Sequence, residues 1–393
     1  MHLSLRILPD AAVAAGTLGC LFYYGLALLG TASFLGTRRK PDPHSSAALP
    51  PISILKPLKG IDPHLWESLC SHAEQQYPEF ELIFGVSDPA DPASEIVRKL
   101  QARYPGCPIK LVVCDRILGS NIKVSNLAQM LAHVRYEILL VNDSDIRVAR
   151  DYLRQVAAPL SDPRIGLVTC LYRGIAANTL GSRLEALGIS TDFVPGVLSA
   201  RFLEDGLQFG LGSTLVFRKG DLAAIGGFES ILDYLADDYE LGRRIAALGK
   251  RVELSATTVA TFLPPYTLRE FWQHQLRWSR TIRDARRWGY LGLAFTFGLP
   301  WSLAALVISA GTAWAWTLFA FTVGARLAVG LSTSLAVLQD RGTLRNIFLL
   351  PIRDLIAPIV WATGLMGNRI RWRGDEFYLK EGRLSRIMSK ASD

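Results

Sequence analysis

The apolar positions fall into three blocks with different rhythms. From about Ala11 to Leu35 no residue is charged, a run of roughly 25 residues that is enough to cross a hydrocarbon core of about 30 Å. It is too long for a cleavable leader, contains Tyr23 and Tyr24, and is followed by Arg38, Arg39 and Lys40. The expectation is a retained anchor with its N-terminus outside and the rest of the chain in the cytosol.

A stretch rich in Pro, Ser and Ala comes next, and then short apolar runs alternate with helical periodicity. Strands are predicted near Ile52–Leu58, Glu81–Val86, Lys110–Val113, Tyr136–Val141, Gly166–Leu171 and Val252–Thr261. Helices are predicted between them, as at Leu65–Gln76, Ser94–Tyr104 and Asn126–His133. This alternation predicts an α/β, Rossmann-like domain with a mostly parallel sheet, binding its ligands at the carboxyl ends of the strands.

From Gly289 to Leu338 the chain turns apolar again, long enough for two spans with a turn near Ser309–Thr312 and with Arg326 as the only charge inside. Such a charge must face protein or a cavity rather than lipid. A last apolar piece, Ile347–Gly367, is interrupted by Pro351, Arg353, Asp354 and Pro358 and reads either as a span or as an interfacial helix. The expected organisation is an anchor over 1–40, a linker over 41–51, a cytosolic domain over 52–263, an interfacial helix over 264–288, two spans over 289–338, and an interfacial or third membrane segment with a basic tail over 339–393.

Composition agrees with this division. Half of the 393 residues are hydrophobic, too many for a wholly soluble protein of this length. The net charge of +8 raises the question of nucleic acid, but the excess clusters beside the apolar blocks, at Arg38–Lys40, Arg277–Arg287 and Arg369–Arg373, where anionic headgroups are the natural partner. The five cysteines are scattered and form no C-x-x-C pair, so neither a disulfide framework nor a zinc site is indicated.

Acidic residues gather where strands should end. Asp88 follows the strand ending at Val86, Asp143 and Asp145 follow Ile138–Val141 in NDSD, and Asp237 and Asp238 open a helical pattern in ADDYELG. Two carboxylates two residues apart on an extended segment point the same way, which suits Mg2+ or Mn2+ held together with a substrate's phosphates. Taken alone, that spacing is more often a turn or a helix cap. Asp237 or Asp238 would serve as a cap, yet two adjacent carboxylates exceed what capping requires and suit a general base. In HQLRWSRTIR, His274–Arg283, Trp and Arg suit the headgroup level, and Arg277 equally suits a bidentate contact to a diphosphate with Trp278 beside an acceptor.

The order of these motifs resembles the family-2-type membrane glycosyltransferases, and most closely the ceramide glucosyltransferase group. SILKPLKGIDPHL, NIKVSNL, DSDIRV and ADDYELGRRIAALG carry the likeness from Ile52 to Arg283. The resemblance implies a GT-A fold flanked by transmembrane helices and transfer from a UDP-sugar to a lipid hydroxyl with inversion to a β-glycoside. It implies that Asp88 contacts the uridine end of the donor and that Asp143 holds the metal, with Asp145 assisting although eukaryotic members often have Gly there. Asp238 would be the general base, with Asp237 beside it and Lys123 of N-I-K meeting the donor. The family element is usually Q-x-x-R-W or R-x-x-R-W; here it is His274-x-x-Arg277-Trp278, which is similar to bacterial members acting on hopanoid lipids. The implied reaction joins UDP-N-acetylglucosamine or UDP-glucose to a hopanoid polyol such as bacteriohopanetetrol in a bacterial inner membrane, with ceramide as the alternative acceptor. A short polysaccharide synthase and a non-catalytic binding module are lesser readings. Neither nucleic acid nor an obligate protein partner is expected.

Overall fold

The computed structural model describes residues 4–38, 49–372 and 374–387. Arg39, Lys40, most of the expected linker and the end of the basic tail lie outside the described residues. The chain divides into two compact units, neither of them contiguous. One gathers Met1–Thr37, Asn178–Leu203 and Pro265–Arg373, and the other Arg38–Ala177, Glu204–Pro264 and Gly374–Asp393.

The second unit is built on eight strands: β1 (Ile52–Pro57), β2 (Phe80–Val86), β3 (Ile109–Val113), β4 (Ile138–Val141), β5 (Ile146–Arg147), β6 (Ile165–Ile175), β7 (Leu215–Arg218) and β8 (Arg251–Phe262). They form one sheet in the order β3-β2-β1-β4-β7-β6-β8-β5. The pairs among β3, β2, β1 and β4 are parallel, as is β6 with β8, whereas β7 runs antiparallel to both of its neighbours and β5 antiparallel to β8. β1 buries Ile52, Ile54 and Leu55 completely, and Ser53 and Lys56 with them, so it is covered on both faces, as a central parallel strand is. Leu65 and Leu69 of the helix Leu65–Ala73, and Val97 and Leu100 of Ala93–Arg103, close the same core.

The apolar pattern predicts six of the eight strands. β5 and β7 are additional; β5, at two residues, is too short for a periodicity to register. The tail expected to be merely basic also contains strands: Asp375–Lys380 and Arg383–Arg386 form an antiparallel hairpin whose Phe377, Leu379 and Leu384 are buried.

Among the described residues of the first unit, three helices are long and apolar enough to cross a membrane: Leu8–Thr37, Ala313–Val337 and Gly342–Leu365. The turn expected near Ser309–Thr312 does separate two helices, Gly298–Ile308 and Ala313–Leu331. The stretch before that turn is not one straight span, however, because Arg287–Thr296 and Gly298–Ile308 meet at 53°. Arg326 is buried and satisfied as a charge in an apolar block must be. Its guanidinium donates to Asp354 at 3.0 and 2.7 Å, to Asp192 Oδ1 at 2.5 Å and to the Thr191 carbonyl at 2.6 Å. Thr191 and Asp192 belong to a π-helical turn, Ile189–Phe193, whose loosened carbonyl ladder leaves acceptors for such a donor.

The sheet and the C-terminal hairpin belong to one compact unit, so the expectation is that they share one side of a membrane and that the chain between Pro265 and Arg373 crosses it an even number of times. On that expectation the bent pair and the two straight candidates after it are not all complete crossings. A tag placed behind Asp393 and one inserted in the exposed loop near Pro105 are predicted to behave alike toward protease in sealed vesicles. Digestion of one with protection of the other would contradict this topology.

Candidate active site

The carboxyl ends of the parallel strands form one edge of the sheet, and β4 ends there on Asn142-Asp143-Ser144-Asp145 before the chain enters β5. The four residues do different work. Asn142 is completely buried, and its Nδ2 donates to the Ser213 carbonyl at 2.6 Å and to the Tyr152 hydroxyl at 3.0 Å. It thus locks the strand end to the segment between Gly210 and Thr214. The Ser144 hydroxyl donates to Asp62. Asp145 accepts from the Thr261 hydroxyl at 2.6 Å, which ties the loop to β8. Asp143 keeps its carboxylate for the cleft, its side chain 40% exposed.

Lys123 organises the acids. It lies in the first turn of the helix Ile122–Met130, and its Nζ sits 2.8 Å from Asp143 Oδ1 and 3.0 Å from Asp237 Oδ2. Asn121 fixes that helix end: its Oδ1 accepts from Val124 N at 3.2 Å while its Nδ2 donates to the Tyr234 carbonyl at 2.8 Å. Asp237 and Asp238 occupy the first turn of Asp237–Ala247, and Ala236, not either aspartate, stands at the N-cap. Asp238 Oδ1 accepts from Tyr239 N at 2.8 Å and Oδ2 from Gly212 N at 2.7 Å. A Cβ on Gly212 would stand 3.1 Å from both Asp143 Oδ2 and Asp238 Oδ2. The missing side chain therefore leaves a cradle with a carboxylate on either side.

Charge and burial tune these groups in opposite directions. Burial pulls Lys123 down, but Asp143, Asp237 and Asp238 outweigh it and its pKa is raised, so it stays a cation. Burial, reinforced by Asp237, lifts Asp238 to about 6 against the pull of Lys123. Burial and Asp143 likewise lift Asp145 to about 6. Lys56, fully buried, donates to the Asp143 carbonyl at 2.8 Å; burial lowers it to about 7 although Asp145 and Asp143 oppose the shift. It props up the loop from beneath.

Among the described residues no three His, Cys, Asp or Glu side chains cluster as a metal site. A cation carried with a diphosphate needs only one or two carboxylates from the protein. Asp143 fits that requirement, with Oδ2 facing the Gly212 cradle. Asp145 is committed by one oxygen to Thr261. Asp88 lies at the end of β2, exposed, with Oδ1 accepting from Ala90 N at 2.8 Å in a tight turn, and among the described contacts it makes none to the Lys123 cluster.

His274, Arg277 and Trp278 belong to the other unit, on the helix Leu268–Ala285, which Thr267 and Glu270 open with a reciprocal capping box. His274 and Trp278, four residues apart on one face, have ring centroids 5.5 Å apart. His274 stacks on Tyr266 at 5.3 Å and holds Nδ1 3.1 Å from Glu185 Oε1, while Trp278 meets the edge of Phe193 at 5.6 Å. The histidine that replaces the usual first residue of the motif thus has a buried acid for a neighbour.

Asn121, Asn142 and Gly212 escape a reading of the sequence. The available signal was G-L-G at Gly210–Gly212, where a Cβ on Gly242 of the aspartate helix would stand 2.1 Å from Gly210 N. Gly212→Ala is predicted to lower the rate of transfer about tenfold or more while thermal unfolding of the purified protein stays near wild type; an unchanged rate would show that the cradle is not part of the site.

The profile of glycosyl transferase family 21 matches residues 13–385. Ceramide glucosyltransferase 1 of Caenorhabditis elegans is 24% identical over 388 residues, covering 93% of this chain and 79% of its own. The ceramide glucosyltransferase of Candida albicans is 34% identical over a shorter stretch of 122 residues, 28% of this chain and 22% of its own. Among solved structures, a mannosyltransferase from Pyrobaculum calidifontis in complex with GDP-Man and Mn2+ shares the fold at a TM-score of 0.52 and 20% identity, over 89% of this chain and 98% of that one. With a family match that runs from the first apolar helix to the C-terminal hairpin, the chain belongs to glycosyl transferase family 21, sugar-transferring enzymes with a GT-A-like fold, and stands close to the ceramide glucosyltransferase group.

Proposed function

We propose that this enzyme moves a sugar from UDP-N-acetylglucosamine or UDP-glucose to a hydroxyl of a membrane lipid with inversion at the anomeric carbon. The observation that carries the reading is the pair of carboxylates, Asp143 and Asp238, facing one another across the Gly212 cradle. In this reading Asp238 takes the proton of the acceptor hydroxyl as its oxygen attacks the anomeric carbon. The bond to the diphosphate breaks, and UDP leaves with the electron pair. Asp143 would hold Mg2+ or Mn2+, which when bound supplies positive charge to the departing diphosphate.

Lys123 keeps Asp143 and Asp237 in place and adds a fixed cation toward the donor, while Asp88 receives its uridine end. For Arg277 and Trp278 the reading rests on the motif, Arg277 for the diphosphate and Trp278 beside the acceptor. The catalytic unit is assigned to the cytosolic side of a bacterial inner membrane. The H-x-x-R-W form beginning at His274 favours a hopanoid polyol as acceptor; the ceramide glucosyltransferase names of the relatives favour ceramide. Purified protein given each UDP-sugar with bacteriohopanetetrol or ceramide in mixed micelles separates these, because UDP release should rise with one lipid only, and excess EDTA should stop it. Release that is indifferent to both lipids would sink the lipid assignment, and full activity in EDTA would sink the metal role of Asp143.

Asp238→Asn is expected to lower transfer by roughly 100-fold or more with UDP affinity kept; loss of UDP binding instead would undo the general-base role. Because Asp238 is raised to about 6, it is protonated and useless as a base below that pH. The rate is therefore expected to fall as pH drops through about 6. A rate that stays flat down to pH 4 would contradict it.

A further inference from the structure

We propose that the C-terminal hairpin is a clamp that sets the position of the Asp237–Asp238 pair, with Tyr234 and Arg383 as its positioning residues; this rests on the general-base reading of Asp238. The hairpin reverses at Glu381 and Gly382, both left-handed with φ of 51° and 76°, the paired conformation of a tight two-residue turn. That turn does not simply face solvent. The Gly382 carbonyl accepts from Leu235 N at 3.0 Å, and Leu384 N donates to the Asp233 carbonyl at 2.7 Å. Tyr234 and Arg383 make an antiparallel bridge between these two bonds. Residues 233–235 therefore behave as a short extra strand on the hairpin's edge, and the chain reaches Asp237 two residues later.

The side chains repeat the link. Two cations approach the Tyr234 ring, Arg383 at 5.2 Å and Arg244 at 5.4 Å from its centroid, and Arg383 Nε donates to the Tyr234 hydroxyl at 3.3 Å. Arg244 is carried by the helix that Asp237 and Asp238 open. Such contacts are individually weak where they are exposed, enough to bias a loop though not to fold a domain. On its other side the same segment is gripped by the lysine helix: Asn121 N donates to the Leu232 carbonyl and Ser120 N to Asp233 Oδ1, at 2.8 and 2.9 Å. The segment before the acids is thus held between the helix that carries Lys123 and the hairpin. Loosening the hairpin side would let Asp238 drift from Gly212 N while Lys123 still holds Asp143 and Asp237.

The experiment is steady-state kinetics on the full-length protein in mixed micelles, with UDP-N-acetylglucosamine and UDP-glucose as donors, bacteriohopanetetrol and ceramide as acceptors, and UDP alone as the binding probe. Tyr234→Ala is expected to lower kcat about 10- to 100-fold, the scale of a small misplacement of a reacting group. The donor KM and UDP affinity should stay within about threefold. Arg383 is exposed, so Arg383→Ala keeps the fold; it is expected to lower kcat about fivefold or more, and Arg383→Lys, which returns a cation to the ring, to recover most of the loss. Should Tyr234→Ala fail to fold, the arginine pair decides. Wild-type kcat in Arg383→Ala beside an inactive Asp238→Asn overturns the clamp alone. An active Asp238→Asn overturns the general-base reading and the clamp with it. A fall in kcat that Arg383→Lys does not recover also overturns the assignment to Arg383.

Discussion

The site depends on one cation held between two acids. Lys123 lies within 3.0 Å of both Asp143 and Asp237, and these come from separate parts of the chain, one from the end of a central strand and the other from the start of a helix. Without a cation between them, three carboxylates brought to one cleft would repel one another and be driven toward protonation. With it, Asp143 and Asp237 share one partner, and Asp238, a step further from the lysine, keeps a raised pKa. One residue thus ties together acids that the chain brings from a strand end and a helix start.

Around that bridge the polar residues that touch no ligand bear most of the geometric burden. Asn142 uses its amide to pin the strand end to the Ser213 carbonyl, Asn121 caps the lysine helix while holding Tyr234, and Gly212 offers its N–H to Asp238 and no side chain to the cleft. The membrane-side unit obeys the same rule. Arg326 is kept in an apolar block only because Asp192, Asp354 and the Thr191 carbonyl meet it there, since an unpaired charge at that depth would be costly.

Much of this is legible in the sequence. Strands buried on both faces announce themselves as continuous apolar runs, and the acids at their ends are visible as D-x-D and D-D-Y. What the sequence hides follows from chain length and from contacts between distant segments. β5, at two residues, is too short to show a period. The hairpin at Asp375–Arg386 earns its strands by burying Phe377, Leu379 and Leu384, which a basic composition masks. Gly212 and Asn121 carry no chemistry of their own, so only the fold reveals what they adjoin. Within D-x-D the sequence cannot say which aspartate is engaged elsewhere; Thr261, more than a hundred residues along the chain, decides that for Asp145.

The central claim is a single displacement driven by a base on one side of the sugar and a leaving diphosphate on the other. The most direct test is the anomeric configuration of the glycolipid formed from an α-linked UDP-sugar, read by proton NMR coupling at the anomeric position. A purely β product is the predicted result. An α product would require two displacements or front-face attack, and would contradict the role given to Asp238.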